Sequence, residues 1–323
     1  MIPTAWLKQA QTRLSAYIRR TPLTYDDTLG VYFKWENHQV TGSFKARGAI
    51  NKVLTLQPWE QSRGLVAASA GNHGQGVALA GQLVGAPVVI FASDHAVPAK
   101  VDAMRRLGAQ VRQVPGGYGE AEVAGLAFAA ANQATWISPY NDGQVIAGQA
   151  TLALEILDAL PGLPELTWVV PVSGGGLISG IAAALAAHLK EGPLASPRCH
   201  LVGVQSEASP FFHAIYHTGS QSGVLELPSL ADGLTGPVQD GSITIPLLRA
   251  GVDDFILVSE TEIAQAIAFA WDRYHEQIEG SAAVTLAALI TGKVAGRPAL
   301  AVITGGNLQP ELHAEIIHGH YSR

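Results

Sequence analysis

The sequence predicts an α/β fold built on parallel sheets, and three observations carry that prediction. From Gly64 onward, short apolar runs alternate with stretches of helical spacing, which is the rhythm of βαβ units. Many of the 35 glycines follow directly on those apolar runs, where an α/β protein places its ligand loops. Hydrophobic residues make up 48% of the 323, enough to fill a large core or two.

The elements read as follows. Residues 4–20 space Trp6, Leu7, Leu14 and Ile18 as a helix does, and VYFKWE (Val31–Glu36) alternates as a strand. Lys45 opens a helix that runs through Leu56. GLVAASA reads as a strand, Asn72–Val84 as a helix, PVVIFA (Pro87–Ala92) as a strand and Pro98–Leu107 as a helix. AQVRQV, the helix Tyr118–Asn132 and the strand ATWISP follow. Next come the helix Val145–Leu160, the fully apolar strand LTWVVPV, the helix Leu177–Leu189 and the strand CHLVGVQ. Gly219–Thr244 is rich in Gly, Ser and Pro and predicts a loop. FILVSE, the helices Thr261–His275 and Ser281–Ile290, and LAVITGG complete the pattern. Pro58–Gly64 and Asn141–Gly143 are boundary candidates. They predict a small domain of residues 64–143, inserted into a larger one made of residues 1–63 and 144–323. No internal repeat or low-complexity segment interrupts the chain.

Composition narrows the function classes. The net charge is −6 and no basic stripe stands out, which argues against nucleic acid as a partner. The longest apolar stretch, Thr167–Leu189, is broken by Pro171 and three consecutive glycines, so it reads as strand, loop and helix rather than a membrane span. The N-terminus lacks a basic segment followed by an apolar core, so no signal peptide is expected and a cytoplasmic location follows. Cys199 is the only cysteine, which rules out an internal disulfide or a CxxC site.

Four stretches carry chemistry. TGSFKARGA (Thr41–Ala49) puts Lys45 between a small-residue turn and a helix start. A cation is poorly placed at a helix N-terminus, and a desolvated lysine becomes a neutral nucleophile able to form a Schiff base. VSGGGLISG (Val172–Gly180) joins an apolar strand to a helix through glycines, a cradle for an anion. Gly174, Gly176 and Gly180 also approximate a dinucleotide fingerprint, with Glu207 as the matching acid. SAGNHGQG (Ser69–Gly76) repeats the strand-to-helix pattern. There Asn72 serves either as a donor to a phenolic oxygen or as an ordinary N-cap. ITGGN (Ile303–Asn307) offers the Thr304 hydroxyl at a strand end, able to bond a pyridine nitrogen without protonating it. Glu279, in IEGSAA, either faces a ligand or caps the next helix. Together these stretches point to a phosphate-bearing aldehyde cofactor.

In this order and over nearly the whole chain, the four stretches resemble the fold type II family of pyridoxal-5'-phosphate (PLP) enzymes. This is the two-domain, tryptophan synthase β-like fold, with parallel-rich twisted sheets flanked by helices. Within it the resemblance is to the serine/threonine dehydratases and serine racemases. It implies that Lys45 carries the cofactor and acts as the catalytic base, with Phe44 flanking the ring; Glu279, which either sits beside the cofactor or caps the next helix, joins the candidate cofactor contacts. Asn72 would bond the ring's 3-oxygen, and Ser173, Gly174, Gly175, Gly176 and Leu177 would hold the phosphate. Thr304 would face the pyridine nitrogen, and Ser69, Asn72 and His73 would line the substrate carboxylate site. The implied reaction is β-elimination from L-threonine or L-serine to a 2-oxo acid and ammonia, in a homodimer whose small domain closes on the substrate.

The chain also departs from its relatives. Serine racemases place a serine where Ala70 stands, so racemisation is expected to be weak or absent. Many relatives bind a divalent cation through an acid at the position of Gln205 and a second oxygen ligand at that of Phe211. Glu207 is left as the possible substitute, which weakens the case for a metal. His313 and the HGH of His318–His320 read as a solvated tail rather than a metal site. The sequence ends soon after ITGGN, so no isoleucine-responsive extension is expected. Three other outcomes stay open: a different PLP reaction (racemisation, or deamination of a hydroxyaspartate-type substrate), a catalytically silent amino-acid sensor, and an NAD(P)-dependent oxidoreductase using Gly174, Gly176 and Gly180.

Overall fold

The computed structural model describes residues 1–161, 165–191 and 199–321. The first part runs α1 (Thr4–Leu14), β1 (Leu23–Asp26), β2 (Val31–Trp35), α2 (Lys45–Thr55), α3 (Pro58–Ser62), β3 (Leu65–Ala68), α4 (Asn72–Val84), β4 (Val88–Ser93), α5 (Pro98–Arg106), β5 (Gln110–Val114), α6 (Tyr118–Asn132) and β6 (Thr135–Trp136). The rest runs α7 (Gly143–Ala159), β7 (Thr167–Pro171), α8 (Gly176–Glu191), β8 (His200–Ser206), α9 (Phe211–Thr218), α10 (Thr244–Gly251), β9 (Asp254–Val258), α11 (Glu260–Tyr274), α12 (Gly280–Ile290), β10 (Ala299–Ile303) and α13 (Pro310–Ile317).

Among the described residues the strands form two sheets. One has six strands in the order β1-β2-β10-β7-β8-β9, and the other has four in the order β5-β4-β3-β6. Only β1 and β2 pair antiparallel; every other neighbouring pair is parallel. The central strand β7 is buried along its whole length, as expected for a parallel strand covered on both faces. Alternation sorts its side chains: Trp168 and Val170 join one apolar cluster with α7 and α8, and Val169 joins another with α11 and α12. The small sheet has its own cluster, and α2 contributes Ala46, Ala49, Ile50 and Val53 to it. The helix that begins at Lys45 thus packs against the small sheet, while the turn leading into it touches the large one. Phe44 N–H donates to the Thr304 carbonyl at 3.0 Å, and Ser43 bridges Gly305.

Helix starts follow local chemistry. Asp142 caps α7 by accepting from the Gln144 and Val145 amides. Ser259 and Glu262 make a reciprocal capping box on α11. Departures from the expected elements also have physical reasons. The helix expected over 4–20 stops at Leu14, whose carbonyl takes the amides of both Tyr17 and Ile18; the chain then extends toward Pro22, as a residue preceding proline must. The strand expected from ATWISP shrinks to Thr135–Trp136 because the Ser138 hydroxyl accepts from the Tyr140 and Asn141 amides and turns the chain. The expected Gly219–Thr244 loop runs to Ile243, since Thr244 opens α10, and its one helical element is a short 3-10 turn at Asp232–Leu234.

Candidate active site

A cavity of about 330 Å³ lies between the two sheets, where β3, β7 and β10 end. Every residue that the family resemblance assigned to the site lines it. The walls come from places far apart in the chain, among them the start of α2, the β3–α4 loop, the β7–α8 loop, the turn before α12 and the turn after β10.

Lys45 is the first residue of α2. Its Nζ lies 3.4 Å from the Pro139 carbonyl and 5.2 Å from the centre of the Phe44 ring. Burial brings the amine down to about 8, against the opposing pull of the Glu279 carboxylate. The shortened strand β6 matters here, because the turn that replaces its end aims the Pro139 carbonyl at the amine.

Asn72 begins α4 but does not cap it, since the N-cap is Gly71 and no side chain serves that role. Its amide instead spans the cavity wall. Asn72 Nδ2 donates to Glu279 Oε1 at 2.7 Å, and Asn72 Oδ1 accepts from Asn307 Nδ2 at 2.7 Å. These bonds set the orientation of the amide and leave one of its two protons for a ligand. Glu279 stands at the N-cap of α12, but its side chain makes no capping hydrogen bond. Burial first, then the charge of Asp232, pushes its carboxyl up to about 7, while Lys100 and Asn72 pull it down.

The imidazole of His73 is buried against the Ile137 carbonyl, 2.8 Å from Nε2. Burial, helped by the nearby Lys45 charge, lowers it to about 3, so it is neutral. Nε2 carries the proton toward that carbonyl, and Nδ1 is a buried acceptor without a partner. An anion at this loop would therefore draw on the first amides of α4, which have no partner inside the helix, and on the Ser69 hydroxyl. Ser69 Oγ already accepts from the Gly71 amide at 3.0 Å.

Between β7 and α8 the chain passes through Ser173, Gly174 and Gly175. Gly175 has φ of 85°, a left-handed conformation that favours glycine. At Gly174 a Cβ would stand 2.2 Å from the Tyr140 ring. The glycines thus let Tyr140 pack beneath the loop and leave the backbone amides facing the cavity at the positive end of α8. Gly180 has a separate cause: a Cβ there would meet the Ile146 carbonyl at 2.7 Å, so it serves the close packing of α7 and α8. Glu207 does not line the cavity; it is 56% exposed and lies 3.9 Å from Lys293. The fingerprint reading of Gly174, Gly176 and Gly180 therefore lacks its acid.

Sequence reasoning missed several lining residues. Tyr140 supports the glycine loop, and its hydroxyl accepts from the Gln239 amide at 2.9 Å. Lys100, from α5, donates to Asp232 Oδ2 at 2.6 Å, joining the small-sheet side of the cavity to the loop before α10. Lys100 and Tyr140 sit in stretches with no local signal, and they reach the site only through the fold. The metal-ligand candidates do not converge. His313 packs edge-on against Trp271, with centroids 5.0 Å apart. No group of three or more His, Cys, Asp or Glu suited to a metal occurs among the described residues.

The donor set suits pyridoxal phosphate. It offers a low-pKa amine, a loop of outward amides, a planar amide with a spare proton and a neutral hydroxyl at Thr304. Comparison with known proteins agrees. A family model described as pyridoxal-phosphate dependent enzyme matches residues 14–305. An L-threonine ammonia-lyase of Thermotoga maritima is 40% identical over 325 aligned residues, which cover 98% of this chain and 79% of that one. Among solved structures, maize serine racemase superposes with a TM-score of 0.85 at 29% identity, covering 98% of both chains. The processed form of threonine deaminase isoform 2 from Solanum lycopersicum superposes with a TM-score of 0.84 at 28% identity, covering 98% of this chain and 94% of that one.

Proposed function

Because this chain belongs to the family of pyridoxal-phosphate dependent enzymes, we propose that it is an ammonia-lyase acting on a small β-hydroxy amino acid, L-threonine or L-serine. The products are a 2-oxo acid and ammonia. One observation carries the reading: a buried amine held near neutrality, Lys45, in a cavity bounded by an anion-binding loop and a neutral hydroxyl. The name of the Thermotoga maritima relative supports the choice of substrate.

Bound pyridoxal phosphate supplies the electron sink that makes the substrate α-proton removable. The chain supplies the rest. The amides of Ser173–Leu177 would hold the phosphate, and the free proton of the Asn72 amide would serve the ring oxygen. Thr304 offers a hydroxyl, which does not force a proton onto the ring nitrogen as a carboxylate would. Ser69 and the first amides of α4 orient the substrate carboxylate, and His73 braces that loop through the Ile137 carbonyl. Lys45, once free, is the base that takes the α-proton, and its lowered pKa suits that role near neutral pH. The β-hydroxyl takes up a proton, equal in number to the one Lys45 removed, and leaves as water; hydrolysis of the dehydrated product gives the 2-oxo acid and ammonia.

Two features refine the substrate. Ala70 carries no hydroxyl to return a proton to the opposite face, so D- and L-serine should not interconvert. Lys100 is the cation a second carboxylate would seek, but it is already paired with Asp232, so 3-hydroxyaspartate should be a poor substrate. Residues 64–143 act as the closing unit, and the Lys100–Asp232 pair spans the cleft that closes. We place the enzyme in the cytoplasm as a homodimer, with α1 and its exposed Trp6 contributing to the contact. No described helix is long and apolar enough to cross a membrane. A divalent cation plays no part in this reading.

The test is ammonia release by the purified holoenzyme from a panel of L- and D-β-hydroxy amino acids. Turnover of L-threonine or L-serine is expected, and silence on the whole panel would overturn the proposal. Lys45→Ala should lose turnover together with the visible absorbance of the bound cofactor.

A further inference from the structure

The end of β8, just before the turn into α9, holds a buried carboxamide at the position where the family resemblance led us to look for a metal-binding acid. Gln205 is 1% exposed. Its Oε1 accepts from the His213 amide at 2.7 Å, and its Nε2 donates toward the Ser209 carbonyl at 3.5 Å. One side chain therefore ties both ends of the turn. The remaining groups do not make a cation site. Phe211 is apolar and buried, Glu207 lies beside Lys293 on the outside, and the Ser206 hydroxyl is bonded to Glu260 at 2.6 Å. A divalent cation of the calcium or magnesium kind needs several oxygen ligands, usually carboxylates among them. Here the Gln205 amide turns an N–H donor toward the Ser209 carbonyl, where a cation site would need an oxygen ligand.

The turn bears on the cavity through Phe212. This residue precedes His213, stacks on Phe255 with centroids 5.9 Å apart, and lies under the glycine loop. A Cβ on Gly175 would stand 3.0 Å from its ring. The path runs from Gln205 to the His213 amide, to Phe212, to the floor of the Ser173–Leu177 loop.

We propose that Gln205 is a positioning residue whose amide does the work of a bound cation, fixing α9 beneath the anion-binding loop so that the enzyme needs no divalent metal. Its metal arm is independent of the proposed substrate; its cofactor arm rests on the reading of that loop as the phosphate site.

The test uses holoenzyme and needs no turnover, so its failure is distinct from failure of the ammonia-lyase reading. Wild-type protein is dialysed against EDTA and then given Mg²⁺, Mn²⁺ or Ca²⁺. The melting temperature should stay within about 1 °C throughout, since a ligand that does not bind the native state cannot stabilise it, and calorimetry should detect no stoichiometric uptake. Gln205→Met keeps the bulk and removes both hydrogen bonds. It should weaken cofactor retention on dilution by roughly three- to tenfold, and no added cation should restore it. Loss of stability in EDTA with recovery in Mg²⁺, stoichiometric metal binding by the wild type, or unchanged cofactor retention in Gln205→Met would each overturn the proposal. Should Gln205→Met fail to fold, the wild-type metal measurements still decide whether a cation is needed.

Discussion

Removing the charge of Glu279 should make Lys45 a still weaker base. Burial brings the Lys45 amine to about 8, and the Glu279 carboxylate is the one opposing influence. An ordinary lysine titrates near about 10.4, so at pH 8 the buried amine is half neutral where an ordinary one is neutral in roughly 0.4% of molecules. The site therefore presents on the order of 100-fold more reactive amine at that pH. Glu279, held near 7, is mostly ionised there and supports the ammonium. Glu279→Gln keeps an oxygen for the Asn72 amide but removes that support. The assay is the rate at which apoenzyme takes up pyridoxal phosphate, followed by absorbance across neutral and alkaline pH. The native rate should climb through a midpoint near 8, the Glu279→Gln midpoint should lie lower, and Lys45→Ala should take up nothing covalently. A native midpoint above about 10, in the range of an exposed lysine, would refute the desolvation argument. A midpoint that rose on Glu279→Gln would refute the proposed coupling.

Arg47 lies in the same helix and binds Glu36 at 2.7 Å and Glu155 at 2.6 Å; Glu36 is wholly buried. Arg47→Met strands that carboxylate and should cost about 3–5 kcal/mol in urea unfolding, and a loss below about 1 kcal/mol would contradict a buried network of this kind. Gly175→Ala forces a side chain onto φ of 85°, costing about 1–3 kcal/mol and loosening cofactor retention, and unchanged retention would show that the loop does not need this geometry. His73 titrates at about 3 when folded, below its unfolded value of about 6.5. The unfolded chain thus takes the proton first as pH falls. The His73 contribution is complete above about pH 6.5 and declines by about 1.4 kcal/mol per pH unit below it, toward the folded value. Stability measured from pH 7 down to about pH 4 should fall less steeply in His73→Gln, and parallel slopes would count against a neutral buried ring.

The parts of the fold visible in the sequence were those written in periodicity. The apolar run of β7 and the helices after each glycine cluster are local patterns, and they stand in the structure within a residue or two of their expected ends. What escaped was decided at a distance. The strand β1 (LTYD) is too short to show a pattern and exists because β2 offers it an edge. Helix α9 begins directly after Pro210 in a stretch the pattern left unassigned, and its apolar face meets Phe255 and the glycine loop. Helix α3 was hidden in what looked like a boundary, because five residues give no period. The candidate site divides the same way. Glycines and a lysine beside a helix start can be read from spacing. The Asn307–Asn72–Glu279 chain, the Tyr140 ring under Gly174 and the Lys100–Asp232 pair join residues tens to hundreds of positions apart, and no local signal announces them. Asn72 and Glu279 each had two open roles in the sequence; the geometry takes Asn72 off the cap, and it leaves Glu279 at the N-cap of α12 with its carboxylate bonded to Asn72 instead of to the helix.

The position of β2 has a consequence for how the protein is made. β2 pairs with β10 along its whole length, Val31 beside Ala299 through Trp35 beside Ile303, so a strand is completed by one more than 260 positions later in the chain. The four-stranded sheet has all its strands once Trp136 has emerged. The six-stranded sheet stays open at its middle until Ala299–Ile303 has emerged, and until then the free flank of β2 is a pairing surface for any passing strand. Such distant closure is slow by nature, and the nascent chain should lean on chaperones throughout that wait.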